Sequence, residues 1–132
     1  MFNAINSWWR DISIGKAPAI ISDFCCKGKP NSAMKSAITK NVTNILLENK
    51  KRYYKFGKTG HSLNRSDYED YRSASYEKMY LLYESKIPSF VEFLEKYYSA
   101  KYKNDKFNKN IDTNSLGTMK SIDGNYYLYL VV

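Results

Sequence analysis

A chain of 132 residues with 43% hydrophobic side chains suits one domain around a single core. No apolar run approaches a membrane span, and the opening MFNAINSWWRDISIG lacks the basic leader and long apolar stretch of a secretory signal, so a soluble, intracellular protein without membrane contact is expected. The net charge of +8 is uneven: residues 1–61 carry eleven Lys/Arg against three acids, whereas residues 62–132 carry ten of each. Such asymmetry favours a polyanionic partner, nucleic acid above all, with an anionic membrane surface second; of the nucleic acids, DNA is expected ahead of RNA. The abundance of Lys, Asn, Ile and Tyr weighs against this, because AT-rich coding produces the same bias. Cys25 and Cys26 are adjacent and His61 is the only histidine, which excludes a zinc site and disfavours a relaxed disulfide.

Residues 1–41 read as a basic N-terminal extension with short helices. FNAINSWWRDI is expected to form a short helix carrying Trp8 and Trp9, which would offer a docking anchor for a protein partner. APAIISDFCCKGKP is broken by proline and glycine. NSAMKSAITKN forms a second short helix capped by Asn31 or Ser32. A domain over 42–132 follows. VTNILLE reads as a strand, NKK as a turn and RYYKFGK as its partner strand. SLNRSDYEDYRS reads as a short helix and EKMYLLYES as a third strand. Pro88 precedes the best helix in the chain, SFVEFLEKYYSAKYK, with Ser89 as its cap. The polar loop NDKFNKNIDTNSLG leads to an Asp123-Gly124 turn and a terminal apolar strand. The predicted architecture is therefore α/β (α+β): a small, mainly antiparallel sheet of three to four strands flanked by helices.

Helical spacing gathers Phe90, Val91, Phe93, Leu94, Tyr97, Tyr98, Ala100 and Tyr102 into one apolar sector, with Glu95 at its rim. A half-shielded carboxylate there suits a hard divalent ion; the plainer alternative is an ion pair with a nearby lysine. Alternation along RYYKFGK puts Tyr53, Lys55 and Gly57 on an outer face and Tyr54, Phe56 and Lys58 on the inner one. Arg65 and Arg72 share a stripe with Glu69 between them, which serves either a surface ion network or a phosphate. GKTG lacks the upstream glycine of a phosphate-binding loop, so ATP binding is not expected.

YYKFGKTG followed by Asn64-Arg65 resembles the second half of the GIY-YIG nuclease signature, in the phage and large DNA virus form that reads Y-K-I-G-K-T. MYLLYES is similar to that family's third strand and FVEFLEKYY to its second helix. The resemblance covers about residues 42–132; Thr43 and Asn44 occupy the window of the first motif's tyrosine, and Lys55 stands at the second motif's tyrosine. It implies a DNA-binding domain that hydrolyses phosphodiesters with one Mg²⁺ or Mn²⁺ ion held by Glu95. Arg65 would neutralise the phosphate, Tyr53 and Lys55 would position or deprotonate water, and Asn108 or Asn110 falls near the late asparagine. Lys50, Lys51, Arg52, Lys58 and Arg72 are the expected nucleic-acid contacts. The alternatives are a catalytically inactive viral or phage nucleic-acid-binding or assembly protein, and a protein-interaction module such as an inhibitor.

Overall fold

The computed structural model describes residues 16–61, 71, 74–110, 119–121 and 123–132. Their elements are β1 (Ala19–Ile21), β2 (Cys26–Lys27), α1 (Ser32–Glu48), β3 (Lys55–Thr59), β4 (Lys78–Ser85), α2 (Pro88–Lys101) and β5 (Tyr126–Val131). Trp8, Trp9, Arg65, Glu69 and Arg72, together with the helix expected around the two arginines, lie outside the described residues.

The segment read as a short helix and then a strand is one helix. Asn31 caps α1, its side chain accepting from the Met34 N–H at 2.9 Å. Ile38, Val42 and Ile45 recur at helical spacing and are fully buried. The β-branched residues of VTNILLE favour a strand intrinsically, but burial of this stripe overrides that preference. Thr43 settles its hydroxyl by donating to the Thr39 carbonyl one turn back, at 2.9 Å. The helix closes at Asn49, whose side-chain amide donates to the Ile45 carbonyl at 2.8 Å. The boundary drawn after residue 41 thus falls inside a helix. Residues from Ala19 onward belong to the folded body, because β1 and β2 pair with β4.

Among the described residues the sheet is mixed and mostly antiparallel, with five strands: four in the order β1-β4-β5-β3, and β2, which also pairs with β4. β1 and β2 run parallel to β4 and succeed one another along the edge that β5 leaves open. β3 finds its antiparallel partner in β5, with Phe56 opposite Leu130, rather than in the segment just before it. A bulge shifts the β4–β5 register between Leu81 and Tyr83. Leu82 and Tyr83 consequently both enter the same core cluster, which strict alternation would forbid.

Both helices cover one sheet face. Ile38, Val42 and Ile45 of α1 meet Val91, Leu94 and Tyr98 of α2 over Phe56, Tyr80, Leu82, Leu128 and Leu130. The other face carries Tyr71, Tyr76, Met79, Leu81, Tyr129 and Val131. At the start of α2 the N-cap is Ile87, with no side-chain cap, and Pro88 opens the first turn in place of the expected Ser89 cap. The buried stripe of α2 is also narrower than the apolar sector in the sequence. Phe93 is 49% exposed, whereas Glu95 lies inside the stripe at 8%. Among the described residues no helix is long and apolar enough to cross a membrane.

Candidate nucleic-acid interface

β3 is an edge strand, and the loop after α2 covers its open side. The Tyr54 N–H donates to the Phe107 carbonyl at 2.9 Å, and the Lys109 N–H donates to the Tyr54 carbonyl at 2.8 Å. Two residues further on, the Asn110 side chain takes over the pairing. Its Oδ1 accepts from the Phe56 N–H and its Nδ2 donates to the Phe56 carbonyl, each at 2.8 Å. The Tyr54 hydroxyl, buried and raised in pKa by desolvation and its carboxylate neighbour, donates to Asp105 at 2.7 Å. Asp105 also accepts from the Phe107 N–H at 3.0 Å.

This docking brings Phe107 beside Tyr53, with ring centroids 5.7 Å apart and planes tilted by 54°. Tyr53 is 54% exposed. The Lys109 ammonium stands over its ring, 4.1 Å from the centroid, and the Lys106 ammonium lies 5.2 Å from the centroid of Phe107. Lys50, Lys51, Lys103, Lys106 and Lys109 are all exposed. The result is an aromatic corner with two lysine ammonium groups at its rings, built from a turn and a loop far apart in sequence.

The residues singled out in the sequence do not all gather there. Tyr53 does, and Lys50 and Lys51 are exposed three and two positions before it in the chain. Arg52 turns away into an ion pair with Glu77 at 3.4 Å. Asn108 holds the loop, its Nδ2 donating to the Tyr102 carbonyl at 3.0 Å and its Oδ1 accepting from the Asn110 N–H at 2.9 Å. Both ends of that amide are occupied by structure.

Alternation splits the two lysines of β3. Lys55 passes to the second face, its ammonium 5.8 Å from the Tyr71 ring centroid. Lys58 faces α2 with its side chain only 7% exposed, and pairs with Glu92 at 3.8 Å. It is therefore enclosed rather than offered to a polyanion. Glu95 lies one helical turn from Glu92. Burial raises its pKa, and Lys58, followed by Lys55, is the main charge opposing that shift. A hard dication wants several oxygen donors. Around Glu95 the neighbouring charges are the ammonium groups of Lys58, Lys55 and Lys96 and the carboxylate of Glu92, and among the described residues no group of three or more His, Cys, Asp or Glu side chains could hold a metal. This surrounding fits a buried counter-ion for lysine better than a Mg²⁺ or Mn²⁺ ligand.

The glycines of the FGKTG run serve close packing. A Cβ at Gly57 would collide with the Tyr129 ring, which lies across the backbone on the second face. A Cβ at Gly60 would strike the backbone of Lys120 and Ser121. Neither glycine needs a phosphate to explain it.

Phe107, Lys106, Lys109 and Asn110 were missed as partners of the second-strand segment. The signal was an aromatic flanked by lysines and asparagines in DKFNKN, at a point where no element was expected. No protein-family model, no curated protein and no solved structure matches this chain.

Proposed function

We propose that this chain is a nucleic-acid-binding domain, with DNA as the first expected partner. The observation that carries the reading is the meeting of exposed Tyr53 with Lys109 and Phe107, beside the exposed pair Lys50 and Lys51. Mobile surface ammonium groups neutralise phosphates through counterion release, and they need no fixed geometry to do so. The concentration of positive charge in residues 1–61 supports the same reading. A gel-shift titration of the full chain with duplex DNA tests it. Binding should weaken strongly in Lys50→Glu/Lys51→Glu and in Lys109→Glu, whereas undiminished binding in these variants would refute it.

A second reading is the GIY-YIG-like, divalent-metal-dependent endonuclease. Its support is Glu95, a buried carboxylate of raised pKa on the side of α2 that faces Lys58. In that reading Glu95 would hold the Mg²⁺ or Mn²⁺ ion and Arg65 would face the phosphate. It stands second because lysines surround Glu95 and because VTNILLE, where the first motif's strand would lie, is the end of α1. Nicking of supercoiled plasmid that needs the metal and vanishes in Glu95→Ala would raise it to first place. Absence of nicking in the intact chain would remove it.

A further inference from the structure

We infer that the Tyr53–Phe107 corner is a stacking site for unpaired bases, so that the preferred ligand is single-stranded nucleic acid. This inference rests on the nucleic-acid-binding reading given above and specifies its ligand.

A duplex presents phosphates and groove edges at its surface, with the base faces stacked inside. A single strand presents the base faces themselves, and proteins that hold it combine cationic tracks with exposed aromatic rings. The Tyr53 ring meets both conditions. It is more than half exposed, in a chain that fully buries Tyr54, Tyr83, Tyr98 and Tyr129. Phe107 meets it at a 54° tilt, which forms a corner and not a closed stack. Over its face stands the Lys109 ammonium, a contact that is weak at an exposed site. An incoming base can displace that ammonium from the ring, and the ammonium can then turn to the phosphate attached to the same base.

The corner is also held rigidly. Backbone hydrogen bonds join Tyr54 to Phe107 and to Lys109, and the Tyr54 hydroxyl locks onto Asp105. Asp105 is the only acid between residues 101 and 110. Its carboxylate is engaged by Tyr54 and by the Phe107 N–H, which leaves the surrounding surface to the lysines.

The test is fluorescence anisotropy of the full chain with a labelled oligothymidylate of about twelve nucleotides, set against a duplex of equal length. Wild type should bind the single strand more tightly. Tyr53→Ala should weaken single-strand binding by about five- to a hundredfold and duplex binding by a clearly smaller factor, while Tyr53→Phe should retain single-strand binding. Lys109→Ala should weaken both ligands. If Tyr53→Ala leaves both affinities untouched while the lysine variant lowers them, the stacking site is refuted and the binding reading survives. If wild type binds neither ligand at low salt, the binding reading fails and the inference falls with it.

Discussion

Asn110 holds the backbone of Phe56 as a neighbouring strand would, accepting from its N–H and donating to its carbonyl at 2.8 Å each. That side chain thereby covers the open edge of β3 next to the backbone bonds that the loop makes to Tyr54. A bare edge strand invites pairing with another chain, so the amide guards against association as well as unfolding.

Asn110→Ala should strip two partners from the Phe56 backbone. The expected cost is about 1–3 kcal/mol, because groups inside the fold lose their bonds without a ready substitute. Asn110→Asp keeps an acceptor for the N–H but loses the donor to the carbonyl, and should fall below wild type. Urea denaturation of the three proteins provides the comparison. Equal midpoints would show that water replaces the amide at no cost.

Gly57 faces the Tyr129 ring, whose hydroxyl bonds with that of Tyr71. Gly57→Ala should therefore destabilise by about 1–3 kcal/mol through overpacking. Placed in a Tyr129→Ala background, the same change should cost much less, because the two positions are in contact and their effects cannot simply add. Additive losses in the double-mutant cycle would mean that the glycine is needed for another reason.

Glu95 carries a definite pH signature. Its folded-state pKa is raised above the ordinary value of 4.5, chiefly by burial, against the opposing pull of Lys58. The folded chain then holds this proton more tightly than the unfolded chain. The stability it contributes is fully present below the ordinary value and is lost as pH rises through the raised pKa. Glu95→Gln has no proton to lose. Measured by chemical denaturation between about pH 4 and about pH 7, the variant should gain on wild type as pH rises. A difference moving the other way would show that the attraction of the nearby lysines outweighs the burial of the charge.

Much of the later chain was legible because its patterns are long or sharply bounded. EKMYLLYES became β4, the apolar terminal run became β5, and the Asp123-Gly124 turn holds Gly124 at a φ of +84°. The inner face of Tyr54 and Phe56 was also readable, since alternation alone decides it. VTNILLE was not, because a short run of β-branched residues satisfies a strand and a helix equally until its packing partners are known. β1 and β2 are three and two residues long, and they exist as strands only through pairing with β4. The Tyr53–Phe107 corner and the Asn110 clamp join segments more than fifty residues apart, and no local pattern announces such a meeting. Glu95 was placed at the rim of its helix when it lies inside, since helical spacing gives an angle and not the depth of the neighbouring strand.

The central claim is that exposed lysines around Tyr53 hold a phosphate backbone, and the salt dependence of binding tests it most directly. Affinity of the full chain for a labelled oligonucleotide would be measured by anisotropy between about 50 and 200 mM salt. If Lys50, Lys51, Lys103, Lys106 and Lys109 each meet a phosphate of a single strand, log affinity should fall against log salt with a slope of about −3.5, and removing Lys109 should flatten it by about 0.7. A flat salt dependence, or a slope unmoved by the loss of these lysines, would contradict the account.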